Sequence, residues 1–171
     1  LPISHDEVVH GKRSLIGKMS GSYEDKFKQM RTALLLQMTY PGKKLLFMGT
    51  EFAQFREWDY DSSLEWFMLE HPNHFAMREY VASLGQFYLQ EPALWEQDFV
   101  EDGFSWIDPD DREHNLVSFR RRAIDRTELI VVLSRASIDA GADSREVFLY
   151  NDAYMQQINK FGDIEELSVW I

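Results

Sequence analysis

The sequence predicts an α/β fold, in which part of a (β/α) barrel is followed by an antiparallel β module. A helical pattern that begins at Ser22 stops at Pro41-Gly42 and is followed by the apolar run Leu45 to Met48. Helix, tight turn and buried strand form the repeating unit of a (β/α) barrel. Beyond residue 100, short β-branched runs alternate with turns rich in Asp, Gly and Ser, which is typical of antiparallel strands.

The first helix is predicted over residues Ser22 to Tyr40. Ser22 is a suitable N-cap, and the acidic Glu24 and Asp25 suit the positive end of the helix dipole. Apolar residues then recur at helical spacing, which predicts one buried face. These residues are Phe27, Met30, Leu34 and Met38.

The run Leu45 to Met48 is predicted to be a parallel strand that is buried on both faces. A long acidic and aromatic connection, residues 50–72, follows it, and connections of this length are usually functional. In a (β/α) barrel such a loop lies at the active-site face. Helical spacing returns from Met77 to Tyr88 and ends near Pro92.

Three segments in the last third of the chain are predicted to be antiparallel strands: Asn115 to Arg122, Leu129 to Leu133 and Glu146 to Tyr150. We therefore predict two domains. Residues 1–100 form the barrel part, and residues 101–171 form part of a β-domain.

The net charge of −11 disfavours binding to nucleic acid or to anionic lipid. The chain has no cysteine, which fits a reducing compartment, and no stretch approaches the ~18 apolar residues of a membrane span. We expect a cytoplasmic protein with no membrane partner. The chain starts without a methionine and within a pattern, so we expect it to be a piece of a longer protein.

The segment His5-Asp6-Glu7-Val8-Val9-His10 places two histidines and two carboxylates within six residues. A metal site is one interpretation, but the spacing differs from the His-Glu-x-x-His motif of zinc peptidases. A solvated polar loop is the other interpretation that the residues alone allow. We expect no metal and no cofactor.

Four segments in the first 95 residues resemble the glycogen (1,4-α-glucan) branching enzymes of the α-amylase superfamily. The first, Leu1 to Lys12, resembles the last of the short signature regions of that superfamily, with an extension after the His-Asp pair that is typical of branching enzymes. Leu45 to Phe52, Arg56 to Trp58 and Ser63 to Trp66 resemble further branching-enzyme segments, in the same order. The resemblance implies the last part of a (β/α)8 TIM barrel and the start of the C-terminal β-domain.

The resemblance also implies a reaction and a role for two residues. Branching enzymes cut an α-1,4-glucan and transfer the chain to a glucose 6-hydroxyl by a retaining double displacement, which uses a nucleophile and an acid/base carboxyl about 5 Å apart. Asp6 matches the family's third carboxylate, which stabilises the transition state, and His5 matches the histidine that donates to the same sugar. The other two carboxylates lie on barrel strands that this sequence does not contain, so we expect the isolated chain to be inactive. The rest of the barrel is then a required partner.

Three further residues are predicted to bind substrate. Lys12 is expected to contact a sugar hydroxyl or to pair with Glu7. Glu51 follows the predicted strand at the active-site end, and Trp58 offers an aromatic face on which glucose can stack. A structural role is the alternative for each of them.

Three other functions remain open at this stage. One is a hydrolase of the α-amylase superfamily or a trehalose-forming relative, against which the extension after the His-Asp pair argues. The second is a non-catalytic glucan-binding module, although part of a barrel would leave strand edges and apolar surface uncovered. A structural interaction domain is compatible with the acidic charge, but no groove-binding pattern supports it.

Overall fold

Residues 4–113, 116–134 and 148–151 are described by a computed structural model of the chain, and they divide between two compact units. The first unit contains the described residues up to 38 and residues 43–86. The second contains residues 39–42 and the described residues from 87 onwards. The helices and strands are α1 (Tyr23–Thr39), α2 (Pro72–Gln90), β1 (Phe104–Asp111), β2 (Leu116–Arg122), β3 (Glu128–Ser134) and β4 (Phe148–Asn151).

Helix α1 begins where its capping residues predict. The Ser22 hydroxyl accepts a hydrogen bond from the Asp25 amide at 3.2 Å, and the Asp25 carboxylate accepts from the Ser22 amide at 3.2 Å and from its hydroxyl at 2.8 Å. This reciprocal pair satisfies backbone donors that would otherwise lack partners at the first turn. The Ser22 bonds also lower the pKa of the Asp25 carboxyl.

The predicted apolar face of α1 forms the centre of the first unit. Phe27, Met30, Leu34 and Met38 are all buried there, as the helical spacing indicates. Helix α2 begins at Pro72, five residues before Met77, where the sequence predicts helical spacing to return. Proline is well tolerated in the first turn of a helix. The buried residues of α2 are His74, Met77, Val81 and Leu84.

The prediction of a buried strand over Leu45 to Met48 is wrong. These residues form no strand in the structure, and Leu46 and Met48 are 36% and 57% exposed. Their backbone groups bond locally: the Leu45 carbonyl accepts from the Gln37 side chain, and the Phe47 carbonyl accepts from the Thr50 amide at 3.0 Å. A parallel strand needs adjacent strands to satisfy its backbone, and no described segment of the first unit provides one.

The second unit contains an antiparallel sheet with the strand order β1-β2-β3-β4. The predicted strands at 115–122 and 129–133 agree with β2 and β3, while residues 115, 146 and 147 lie outside the described residues. Strand β1 was not predicted from the sequence. It contains Pro109 and three aspartates, and its pairing with β2 is interrupted by register shifts on both sides of Asp108.

Alternation along β2 separates three consecutive arginines. Phe119 and Arg121 are buried, whereas Arg120 and Arg122 point to the other face and form ion pairs with Glu128. The sequence Arg120-Arg121-Arg122 is therefore no single basic patch, because its middle member is a core residue.

Candidate functional site

The segment with the His-Asp pair begins with a 3₁₀-helical turn, His5–Glu7. Ser4 caps this turn: its hydroxyl accepts from the Asp6 amide at 3.4 Å, and the Glu7 carboxylate accepts from the Ser4 amide at 2.9 Å and from its hydroxyl at 3.1 Å. Two hydrogen bonds from Ser4 lower the pKa of Glu7, and the bond from the Ser4 backbone has a larger effect than the bond from its side chain. Glu7 therefore acts as a capping residue, which fixes the turn that carries His5 and Asp6.

His5 and Asp6 present their side chains to solvent. Their side chains are 58% and 69% exposed, and His5 Nε2 lies 3.1 Å from Asp6 Oδ1. Within the described residues, no lysine or arginine side chain forms an ion pair with the Asp6 carboxylate. An exposed carboxylate with an adjacent imidazole can accept hydrogen bonds from hydroxyl groups, and its negative charge is available to a cationic group.

Lys12 lies beside the same turn. Its ammonium group donates to the backbone carbonyl of Asp6 at 2.7 Å, and the ammonium group of Lys18 donates to the carbonyl of Lys12. Among the described residues, Lys12 forms no ion pair with the Glu7 carboxylate. The side chain of Lys12 thus holds the main chain of the His5–Glu7 turn.

A second segment, residues 55–58, packs against residues 8–14 through hydrogen bonds that span more than forty positions. The Trp58 amide donates to the Val8 carbonyl at 3.1 Å, and the Ser14 hydroxyl donates to the Phe55 carbonyl at 2.9 Å. Buried Val8 lies under this junction. The two segments therefore form one surface.

Glu57 is a contact residue of this surface to which the sequence assigned no role. Its carboxylate accepts from the Gly11 amide at 3.0 Å and from the Arg13 amide at 2.6 Å. Both hydrogen bonds lower the pKa of Glu57, and the bond from the Arg13 backbone has a larger effect than the bond from the Gly11 backbone. Glu57 lies in the segment that resembles branching enzymes, but the sequence carried no signal for its contacts, because its partners are backbone amides.

Trp58 is connected to His5 through Phe47. The Phe47 ring lies edge-on to Trp58, with ring centroids 5.3 Å apart, and its centroid is 6.3 Å from that of His5. The indole nitrogen of Trp58 donates to Met48 Sδ at 3.1 Å. Of the predicted site residues, His5, Asp6, Lys12 and Trp58 are thus joined by direct contacts or by one intervening ring.

Glu51 stands apart from this group. It lies in the 3₁₀-helical turn Thr50–Phe52 and is partly exposed. The turn follows Gly49, whose φ of 82° favours glycine, and it ends at Ala53, which also has a positive φ of 59°. No hydrogen bond or ion pair among the described residues joins Glu51 to His5, Asp6 or Lys12, so its role in substrate binding stays a prediction.

A cavity next to the junction of residues 8–14 and 55–58 is too small for a sugar. It has a volume of about 10 Å³, which is room for roughly one water molecule. Its lining includes Val8, Ser14, Gly49, Gln54 and Trp58. This cavity therefore cannot hold a carbohydrate, and His5 and Asp6 are not part of its lining.

Two negative findings concern the part of the chain that the structure describes. No group of three or more histidine and carboxylate side chains is arranged to hold a metal ion. No helix there is long and apolar enough to cross a membrane.

Comparison with known proteins relates the chain to one group of enzymes. It is 42% identical over 166 residues, 95% of its length, to the 1,4-alpha-glucan branching enzyme GlgB of Halothermothrix orenii. It is 50% identical over 133 residues, 78% of its length, to the enzyme of the same name from Aquifex aeolicus. The chain is a homologue of the 1,4-alpha-glucan branching enzymes. The resemblance seen in the sequence is thereby confirmed, although no protein-family model matches the chain.

The homology covers a limited part of these branching enzymes. The matched regions are 26% of the Halothermothrix orenii protein and 21% of the Aquifex aeolicus protein. A third relative, from Nitrosomonas eutropha, is 42% identical over 96% of this chain and is matched over 24% of its own length. The chain thus spans about a quarter of the length of the curated branching enzymes that it matches.

Proposed function

We propose that this chain is part of a glycogen branching enzyme that cuts α-1,4-glucan and transfers the released chain to a glucose 6-hydroxyl. The observation that carries the proposal is the 42% identity to a 1,4-alpha-glucan branching enzyme over 95% of the chain. We place the enzyme in the cytoplasm, in agreement with the absence of cysteine from the sequence. The substrate is an α-glucan, and the remaining barrel of the longer enzyme is the chain's partner.

In this proposal Asp6 stabilises the transition state. Retaining transfer passes through a sugar ring with oxocarbenium character, and a carboxylate that bonds to the ring hydroxyls stabilises the developing positive charge. The exposed Asp6 carboxylate, which has no lysine or arginine ion-pair partner within the described residues, supports this assignment. His5 then donates to the same sugar, because its imidazole lies beside the Asp6 carboxylate.

Trp58 serves as a platform for a glucose unit beside this pair. The apolar face of a glucose ring suits an aromatic surface, and Phe47 holds the indole from its edge. Glu51 is proposed to contact the glucan, and Lys12, which lies beside the Asp6 main chain, is proposed to contact a sugar hydroxyl. We place this surface at the end of a (β/α)8 barrel that the rest of the enzyme completes.

The chain by itself is proposed to be inactive. Double displacement needs a nucleophile and an acid/base carboxyl in addition to Asp6, and the family resemblance assigns neither to these 171 residues.

The test compares the purified chain with the full-length enzyme on amylose, by scoring new α-1,6 linkages and the iodine-stained spectrum. We expect new linkages only with the full-length enzyme. Shortening of amylose without new linkages by the full-length enzyme would instead identify a hydrolase. Activity of the 171-residue chain alone would contradict the division of the catalytic carboxylates.

A further inference from the structure

The Glu57 carboxylate uses both of its oxygens on the loop that follows the His-Asp turn. Oε2 accepts from the Gly11 amide at 3.0 Å and Oε1 accepts from the Arg13 amide at 2.6 Å. These two amides belong to the residues on either side of Lys12. One side chain from a distant segment therefore fixes the main chain immediately before and after Lys12.

The loop needs such support because of its backbone conformation. His10, Gly11 and Arg13 have φ values of 58°, 78° and 69°. The left-handed region is unfavourable for residues with a Cβ, and it persists only where the surrounding structure holds it. Among the described contacts, the Glu57 carboxylate is what the amides of Gly11 and Arg13 bind.

The conformation of this loop determines where the Lys12 side chain goes. The Lys12 ammonium group reaches back to the Asp6 carbonyl at 2.7 Å. A long, flexible lysine makes a lasting bond to one carbonyl only if its own main chain is fixed, since its rotamer freedom opposes the contact. The contacts therefore run from Glu57 to the Lys12 main chain, and from the Lys12 side chain to the turn that carries Asp6.

We propose that Glu57 is a positioning residue for Asp6 and that it acts through Lys12. Asp6 itself is the group that faces the sugar, so this inference rests on the proposed function. The described hydrogen bonds of the Glu57 carboxylate go to Gly11 and Arg13, and none goes to Asp6. Its contribution is to hold the loop in the one conformation from which Lys12 reaches the Asp6 carbonyl.

The first test measures the Gly11 and Arg13 contacts in the 171-residue chain and needs no enzymatic activity. In Glu57→Gln one acceptor oxygen becomes an NH₂ group, which cannot accept from a backbone amide. Hydrogen exchange of at least one of the Gly11 and Arg13 amides, followed by NMR, should accelerate about tenfold or more in this variant, because the glutamine keeps a single acceptor oxygen. Glu70→Gln is the matched control, because the exposed Glu70 side chain forms no hydrogen bond or ion pair among the described residues. Unchanged exchange in Glu57→Gln would overturn the proposal.

Acid provides a second measurement of the same contacts. A carboxyl whose pKa is lowered on folding stabilises the folded loop above its ordinary value of 4.5 and loses that effect as the pH falls through the lowered native pKa. Protection of the two amides should therefore remain at pH 4.5 and disappear at lower pH. Loss of protection already above pH 4.5 would contradict the contacts of Glu57.

The step from Glu57 through Lys12 is tested by a double-mutant cycle in the full-length enzyme. Glu57→Gln should lower kcat about tenfold with little change in KM, and Lys12→Met should have a similar effect. The double variant should be within roughly twofold of Lys12→Met alone, because both changes remove one chain of contacts. Glu57→Asp, which keeps a carboxylate, should recover part of kcat. Fully multiplicative losses would overturn the route through Lys12.

The two kinds of measurement separate the two proposals. If the full-length enzyme forms no α-1,6 linkages, the proposed function fails, and hydrogen exchange still decides whether Glu57 holds the loop. If the enzyme is a branching enzyme and Glu57→Gln leaves kcat unchanged, the positioning role alone fails.

Discussion

Arg121 in the second unit and Asp6 in the first are charged residues in opposite environments. Arg121 is fully buried, and its guanidinium donates to the carbonyls of Thr39, Leu94 and Gly103 and to Asp98 at 2.6 Å. Asp6 is 69% exposed, and its carboxylate contacts only the imidazole of the neighbouring His5 among the described side chains. The Arg121 charge is paired and hydrogen-bonded inside the protein, whereas the Asp6 carboxylate is largely exposed to solvent.

The difference separates a charge that stabilises the folded protein from a charge that is exposed to solvent. A buried guanidinium is tolerated because every hydrogen bond it makes offsets the cost of removing it from water. An exposed carboxylate keeps its hydration and makes little contribution to folding. Substitution of Arg121 should therefore affect stability, and substitution of Asp6 should affect catalysis.

The largest expected effect concerns Asp6 in the full-length enzyme. Asp6→Asn should lower the rate of branching by roughly a thousandfold or more, since the amide keeps the size and loses the charge that faces the developing cation. The urea midpoint of the isolated chain should stay unchanged. Asp61→Asn, an exposed carboxylate in the long loop, is the control. A mild effect of Asp6→Asn, equal to that of the control, would mean that the segment is an ordinary polar loop.

Arg121→Met should destabilise the second unit by roughly 3–5 kcal/mol, because it leaves Asp98 buried without its partner. Urea unfolding of the chain, followed by near-UV circular dichroism, measures this loss. Arg120→Met on the opposite face of β2 is the matched control, and its ion pair with Glu128 is partly exposed. Similar losses in both variants would contradict the distinction between buried and exposed charge.

A pair of glycine substitutions compares packing in the two units. A Cβ on Gly103 would lie 2.1 Å from the Gln97 carbonyl oxygen, whereas a Cβ on Gly85 in α2 meets no atom within 4 Å. Gly103→Ala should destabilise the chain by about 1–3 kcal/mol, because backbone must move to relieve the overlap. Gly85→Ala should stabilise it by about 0.5–1 kcal/mol through the higher helix propensity of alanine. Thermal unfolding of both variants tests the pair, and shifts of the same sign would contradict it.

The smallest effect is expected at the start of α1. Ser22→Ala removes the hydroxyl that caps the Asp25 amide and should cost about 1 kcal/mol of stability. Ser62→Ala, in the long exposed loop, is the control, because its hydroxyl bonds only to the nearby Asp59. Urea titration gives the free energy of unfolding of both variants. Equal values for Ser22→Ala and the Ser62→Ala control would contradict the capping role of Ser22.

The helices were predictable from the sequence because their determinants are local. Ser22 and Asp25 are three residues apart, and the buried face of α1 follows from spacing along a single helix. Strands β2 and β3 were predictable for a similar reason, since β-branched runs between turns indicate strands. The family was also readable from short segments, and the branching-enzyme homologues confirm it.

The sequence did not predict which distant groups meet. Leu45 to Met48 has the composition of a buried strand, yet no strand among the described residues of the first unit pairs with it. Strand β1 contains proline and aspartates and forms because β2 supplies its partners. The composition of a segment indicates whether it can form a strand, but it forms one only where a neighbouring strand is available for pairing.

The sequence by itself determined that an Asp-His pair stands in a branching-enzyme motif and that Ser22 begins a helix. Only the tertiary structure decided that Arg121 is a core residue between two partly exposed arginines, and that Glu57 binds the amides on both sides of Lys12. The physical reason is the same in both cases. A charged side chain has no intrinsic partner in the sequence, and backbone groups brought close by folding supply one.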